Sequence, residues 1–187
     1  YRHQWTGGLR RLVDGGAWFS RAAYPYLATV TCVGHATIST GAFPRTHGIV
    51  GNTWFDRDLG RSVGCSADPA ATTVSYAAPV SGGHGPNRIA AATLADELRS
   101  QLPVPARVVT LSIKERTAIT LAGRRGDAVT WFNSSAGGFV TSSAYTATPV
   151  PFVEAFTKAT PVTADFGKVW ARTLPAGRYL FADAGRG

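Results

Sequence analysis

The fold of this chain is decided by residues 28–41, which read ATVTCVGHATISTG. An extended approach runs into a helix predicted over residues 31–39, which Gly41 closes. The first N–H groups of a helix lack partners inside it and carry partial positive charge, so this end of a helix can bind phosphate. The Thr31 hydroxyl stands at that end and could attack phosphorus if a metal ion lowered its pKa. The alternative is that Thr31 is simply a helix cap.

On either side of this helix, segments typical of helices alternate with segments typical of strands. Further helices are predicted at 3–14, at 88–102 with Asn87 as a cap, and at 151–158. Strands are predicted at 18–24, 107–113, 129–132, 139–142 and 178–181, the second of them buried, with loops at 42–69 and 70–87, the latter mobile. This alternation predicts an α/β fold, a mixed or mostly parallel sheet flanked by helices, with residues 1–187 as a single partial domain.

Composition narrows the classes of protein. The 187 residues are 44% hydrophobic and 16% charged, which suits a globular domain and argues against disorder. No apolar run approaches the roughly 20 residues of a membrane-spanning helix. The net charge of +8 suits either an ordinary solvated surface or attraction of anionic substrates. Nucleic-acid binding is disfavoured, because the arginines are scattered along the chain.

Two further segments carry polar side chains suited to an anion. Asn52 follows a glycine in a loop and can donate two N–H bonds; an ordinary Asx turn is the alternative. Lys114 and Arg116 follow a predicted strand, where their i, i+2 spacing would place both cations on one face beside a phosphate. The alternative there is a solvated strand end. His35 and His47 have no second ligand at metal spacing, so both are expected to be structural or to support a site.

Together and in this order, these segments resemble the PafA-like bacterial alkaline phosphatases, which are related to the type I phosphodiesterase/nucleotide pyrophosphatase group. The resemblance spans roughly residues 1–160 and is most specific in residues 31–36, 41–54 and 113–116. The intervals of 21 residues from Thr31 to Asn52 and 62 from Asn52 to Lys114 agree with that pattern. The resemblance implies an alkaline phosphatase-like fold that is incomplete in this chain.

The resemblance also implies a function for each candidate residue. It implies a zinc-dependent phosphate-monoester hydrolase in which Thr31 is the nucleophile, forms a phospho-threonine and ligates one of two zinc ions. Asn52 would donate to a phosphate oxygen, and Lys114 with Arg116 would favour monoesters. The partners would be phosphate monoesters and the inorganic phosphate product. The other zinc ligands are expected to lie outside this sequence, which begins at Tyr1 and reads as part of a longer protein.

The cysteines and the cellular location are linked expectations. Cys32 and Cys65 have no metal-binding spacing, so from the residues alone they could be free and buried or bridged. The resemblance suggests a periplasmic or secreted setting, and in that setting a Cys32–Cys65 disulfide would persist.

Two other functions compete with monoester hydrolysis. Within the same superfamily, the alternative is a phosphodiesterase or nucleotide pyrophosphatase, against which Lys114 and Arg116 count, because a diester offers one fewer charged oxygen. A sulfatase is disfavoured, since the context of Cys32 does not match the sulfatase motif. From another class, the alternative is a non-catalytic basic domain that binds anionic polymers, whose binding would weaken steeply with salt.

Overall fold

The computed structural model describes residues 2–104, 106–169 and 171–179. Its α-helices are α1 (Gly8–Gly15), α2 (Thr31–Thr40), α3 (Pro44–His47), α4 (Leu94–Gln101), α5 (Glu115–Ala122) and α6 (Pro151–Ala159). Its strands are β1 (Thr53–Asp56), β2 (Arg61–Gly64), β3 (Thr73–Ser75), β4 (Val109–Ser112), β5 (Ala128–Asn133) and β6 (Gly138–Ser142). Short 3₁₀ turns occupy Arg2–Gln4, Val162–Asp165 and Ala176–Arg178.

A four-stranded sheet in the order β3-β6-β5-β4 forms the platform of the fold. β4 and β5 run parallel and are joined by α5, whereas β6 pairs antiparallel with both β5 and β3. The mixed α/β fold is therefore confirmed, although the sheet has less parallel pairing than the sequence predicted. Strands β1 and β2 form a separate antiparallel hairpin.

Two apolar clusters hold these elements together. The first lies between α5 and the sheet and includes Ile119, Val129, Trp131 and Val140. The second surrounds α2 and consists of Cys32, Val33, Ala36, Ile49, Cys65 and Ile89. Because α2 also packs against α5, the two clusters fix the α2 helix relative to the sheet.

Helix α2 matches the sequence prediction closely. It begins at Thr31 and ends at Thr40, and Gly41 adopts the left-handed conformation with φ of 65°. The Gly41 N–H donates to the Thr37 carbonyl at 2.9 Å, which terminates the helix. The predictions of β5, β6 and α6 are also confirmed, each within a few residues.

Several predicted elements are wrong near the chain's beginning and middle. The predicted helix 3–14 is a 3₁₀ turn followed by the shorter α1, and residues 18–24 form no strand, because no described segment pairs with them. The predicted loop 42–69 contains α3 and the β1–β2 hairpin, and the predicted loop 70–87 contains β3, whose partner β6 is distant in sequence. Of the predicted strand 178–181, residues 180 and 181 lie outside the described residues, and Arg178 ends a 3₁₀ turn.

Helix α4 begins at Leu94 instead of residue 88, because Thr93 caps it and Asn87 does not. The Thr93 hydroxyl accepts from the Asp96 N–H at 3.2 Å, and the Asp96 carboxylate accepts from the Thr93 N–H at 3.1 Å. This reciprocal pair satisfies two N–H groups at the start of the helix. The cap also contacts the end of α5, where Asp96 accepts from the Arg124 N–H at 2.9 Å.

Strand β4 is not the buried strand that its apolar sequence predicted. Val109, Leu111 and Ile113 are 58%, 69% and 73% exposed, whereas Thr110 faces α5 and donates to the Ala118 carbonyl at 3.0 Å. The strand lies at the edge of the sheet, and its outer face opens on a cavity that α6 lines from the other side, so Val109 and Leu111 stay exposed. An apolar run therefore does not distinguish a buried strand from an edge strand with one open face.

The junction of α4 and α5 can be tested at Gly123. This residue has φ of +69°, and a Cβ there would overlap the Thr93 hydroxyl and the Asp96 carboxylate. We expect Gly123→Ala to lower the free energy of unfolding by about 2–4 kcal/mol, because positive φ combined with ψ of −146° strains any side chain and the added methyl group would also disturb the cap. Urea denaturation of the purified protein measures this change.

The matched control is Gly137→Ala. Gly137 has nearly the same φ, +67°, but open space surrounds its Cβ position. We expect this control to cost only about 1–2 kcal/mol, the left-handed strain alone. Equal losses for the two variants would contradict the proposed overlap with the cap.

Candidate active site

Thr31 is the first residue of α2, and its side chain is exposed. Val30 is the N-cap residue and supplies no side-chain cap, so the helix start depends on other groups for its N–H partners. The Gly34 N–H donates to the Val30 carbonyl at 2.9 Å, and the Cys32 N–H donates to Asn52. Within the described part of the chain, the N–H groups of Thr31 and Val33 make no hydrogen bond.

Asn52 lies beside the start of α2. Its Oδ1 accepts from the Cys32 N–H at 2.9 Å, and its carbonyl accepts from the Cys65 N–H at 3.0 Å. Because Oδ1 already accepts a hydrogen bond from α2, Nδ2 is the end of the amide that can donate to another group. Among the residues that the structure describes, none accepts a hydrogen bond from Nδ2. The structure thus brings together an exposed hydroxyl, unpaired N–H groups and an amide donor.

The Cys32–Cys65 disulfide is present, as expected from the resemblance. The two Cα atoms are 6.5 Å apart, and 33 positions separate the residues in sequence. Cys32 follows Thr31, and Cys65 follows strand β2, whose partner β1 starts directly after Asn52. The covalent bond therefore connects the helix that carries Thr31 to the hairpin that follows Asn52.

His47 is fully buried beneath α2, and both of its ring nitrogens have partners. The Ile49 N–H donates to Nδ1 at 3.1 Å, and Nε2 lies 3.1 Å from the Thr37 hydroxyl oxygen. Burial is the main influence on the pKa of His47 and lowers it, which favours the neutral imidazole. His35 lies on α2 itself, and its Nδ1 is 2.7 Å from the Thr31 carbonyl oxygen. Both histidines thus have the structural environment that the sequence suggested.

Lys114 and Arg116 lie at the start of α5 and not on a continuing strand. Strand β4 ends at Ser112, Lys114 is the N-cap residue, and Arg116 is the second residue of the helix. The predicted shared strand face is therefore wrong, because alternation stops where the helix begins. The Ser112 hydroxyl accepts from the Lys114 N–H at 3.2 Å, an interaction that accompanies this change of direction.

Glu115, which no sequence motif singled out, forms an ion pair with the Arg116 guanidinium. Arg116 Nη2 lies 3.0 Å from Glu115 Oε1, and Nε donates to the same oxygen at 3.1 Å. Both side chains are partly buried, so the pair is less exposed to solvent than an ordinary surface ion pair. Only the adjacency of the two residues in the sequence could have suggested this pair.

Metal ligands are sparse in this part of the protein. Among the described residues, no group of three or more His, Cys, Asp or Glu side chains is placed to hold a metal ion. The Thr31 oxygen is exposed and fits a role as one ligand at the helix start.

None of the described helices has the length and apolarity needed to cross a membrane.

A mixed sheet, a packed helix pair and an exposed hydroxyl at the start of α2 together define an α/β chain with unpaired N–H groups at that helix terminus. Residues 1–176 match the family model described as type I phosphodiesterase / nucleotide pyrophosphatase, and the chain belongs to this family. The chain is 32% identical over 179 residues to alkaline phosphatase PafA of Elizabethkingia meningoseptica. The aligned region is 96% of this chain and 33% of PafA, so the chain spans about a third of that relative's length.

Solved structures of PafA share the fold. The wild-type crystal structure is matched with a TM-score of 0.74 and 33% identity over 83% of this chain and 30% of that one. A PafA variant substituted at one threonine, one asparagine, one lysine and one arginine is matched with a TM-score of 0.73 and 30% identity, over 82% of this chain and 30% of that one. The resemblance stated from the sequence motifs is thereby confirmed.

Proposed function

We propose that the protein to which this chain belongs is a phosphomonoester hydrolase in which Thr31 is the nucleophile. The observation that carries the proposal is the 2.9 Å hydrogen bond from the Cys32 N–H to Asn52 Oδ1. It holds an amide donor next to an exposed hydroxyl at a helix N-terminus, where a phosphate group is favoured. The exposed Thr31 leaves room for a substrate to approach from solvent.

The four substituted positions of the PafA variant support the choice of residues. In that protein the threonine, asparagine, lysine and arginine follow one another at intervals of 21, 62 and 2 residues. Thr31, Asn52, Lys114 and Arg116 have the same types, order and intervals. These four residues are therefore our candidates for the groups that contact the transferring phosphoryl group.

In the proposed reaction, the Thr31 oxygen attacks phosphorus, the new P–O bond forms, and the bond to the leaving alcohol oxygen breaks. The Thr31 hydroxyl proton goes to solvent and the leaving oxygen takes up a proton from solvent. Water then hydrolyses the phospho-threonine, which restores the Thr31 hydroxyl and releases inorganic phosphate. Asn52 Nδ2 and the free N–H groups of α2 donate to the non-bridging oxygens of the phosphoryl group, which carry negative charge throughout the transfer. A bound pair of zinc ions would lower the pKa of the Thr31 hydroxyl, which would itself be one ligand.

Lys114 and Arg116 are proposed to select monoesters. Two cations match the additional charged oxygen of a monoester, and the Glu115 carboxylate limits the freedom of the Arg116 fork. The family description itself names phosphodiesterases, so diester hydrolysis is the second candidate activity.

A periplasmic or secreted location is also proposed. The Cys32–Cys65 disulfide supports it, since such bonds persist in oxidising compartments.

The nucleophile is tested by Thr31→Ala in the full-length enzyme. We expect turnover of a phosphate monoester to fall by about 10³-fold or more, because no other hydroxyl is proposed to accept the phosphoryl group. Thr31→Ser, which keeps the hydroxyl, is the matched control and should keep a substantial part of the activity. Acid quenching during turnover should trap phosphate on Thr31 in the unsubstituted enzyme. A near-normal rate in Thr31→Ala would contradict the assignment.

Selectivity is tested by the double variant Lys114→Ala, Arg116→Ala. Each charge-assisted contact contributes on the order of 1.5–3 kcal/mol, so we expect monoesterase kcat/KM to fall by about 10²-fold or more. Diesterase kcat/KM should fall far less, because a diester lacks one charged oxygen. The control is Arg125→Ala, an exposed cation beyond the end of α5, which should leave the ratio unchanged. Equal losses on both substrates in the double variant would identify Lys114 and Arg116 as structural.

A further inference from the structure

A buried chain of hydrogen bonds lies directly under the proposed site. The Tyr26 hydroxyl donates to the Thr37 hydroxyl oxygen at 2.7 Å, and the same oxygen lies 3.1 Å from His47 Nε2. On the other side of the imidazole, Nδ1 accepts from the Ile49 N–H at 3.1 Å. The chain therefore runs from the segment before α2, through α2, to the loop that leads to Asn52.

The partners of His47 fix where its proton lies. A backbone N–H can only donate, so Nδ1 must carry a lone pair and the ring proton must be on Nε2. The Nε2–H then donates to Thr37, whose oxygen accepts from both His47 and Tyr26. Burial favours this neutral form, as the lowered pKa of His47 indicates. The ring thus has one donor and one acceptor, and each has one partner.

The loop between His47 and Asn52 is short and is anchored at several points. Gly48 ends α3 in the left-handed conformation with φ of 79°. Ile49 is fully buried in the cluster around α2, and the His47 carbonyl accepts from the Ala90 N–H at 3.0 Å. Three residues after Ile49, Asn52 accepts from the Cys32 N–H. The loop consequently meets α2 at two hydrogen bonds, one at Thr37 and one at Cys32.

We propose that His47, Thr37 and Tyr26 form a positioning unit that sets the Asn52 amide against the start of α2. The unit does not touch the substrate and acts through Asn52, so this inference rests on the proposed function. An apolar side chain could fill the same volume without a desolvation cost. A hydrogen-bonded imidazole instead fixes the angle at which the loop leaves α3, because hydrogen bonds have preferred directions and apolar contacts do not. Small displacements of a group that contacts the reacting atoms can reduce rates about 10²-fold.

The test uses Thr37→Val and Thr37→Ser in the full-length enzyme. Valine has nearly the shape of threonine but cannot accept the hydrogen bonds from Tyr26 and His47, whereas serine retains the hydroxyl. We expect Thr37→Val to lower kcat for a phosphate monoester by about tenfold or more, with Thr37→Ser close to the unsubstituted enzyme. Rates are corrected for the fraction of folded protein. If Thr37→Val does not fold, Tyr26→Phe replaces it, because that change removes only one hydroxyl.

A double-variant cycle with Asn52→Ala separates positioning from general stability. If the unit acts through Asn52, adding Thr37→Val to Asn52→Ala should lower kcat by less than about twofold further. A full additional loss, or a Thr37→Val enzyme with unchanged kcat, would overturn the positioning role. If Thr31→Ala and Asn52→Ala leave the rate unchanged, the proposed function itself fails, and the positioning role fails with it.

Discussion

The hydrogen bond between the Cys32 N–H and Asn52 Oδ1 is the interaction on which the candidate site depends. It occupies one orphan N–H of the α2 terminus, leaves the neighbouring N–H groups free, and directs the donor end of the amide away from the helix. The disulfide begins at the same cysteine, and the Cys65 N–H binds the Asn52 carbonyl. Residues 32, 52 and 65 are thus connected to one another by one covalent bond and two hydrogen bonds. On the chain-entropy model, a bridge across this separation contributes about 3–4 kcal/mol.

The sheet gives this group a rigid support. The β4-α5-β5 unit packs α5 on one face of the sheet over the cluster that contains Ile119 and Val129, and α2 packs against α5. The same unit places Lys114 and Arg116 at the start of α5. In the proposed site, a phosphate would contact residues from two packed helices and one tethered loop, an arrangement that limits their relative motion.

The sequence was informative where local chemistry decides the structure. The end of α2 was predictable because a glycine directly after the last helical residue readily adopts the left-handed conformation, as Gly41 does. Strand β3 was missed because its partner β6 is distant in sequence. The local β1–β2 hairpin was missed because its short strands lie in a segment whose glycine, proline and asparagine residues indicate a loop. The exposed face of β4 was missed because apolar composition does not show whether a strand is covered. Within the site, residue types and intervals identified the four candidates. They did not reveal that Lys114 and Arg116 begin a helix, that Glu115 binds Arg116, or that His47 joins Thr37 to the Asn52 loop.

The most direct measurement is a crystal structure of the full-length protein with inorganic phosphate bound. We expect a phosphate whose oxygens contact the Thr31 hydroxyl and Asn52 Nδ2, while Asn52 Oδ1 remains bonded to the Cys32 N–H. We also expect Lys114 or Arg116 to reach the same anion from the start of α5. A phosphate held at another surface, or an Asn52 amide turned away from Thr31 in the occupied site, would contradict the proposed site.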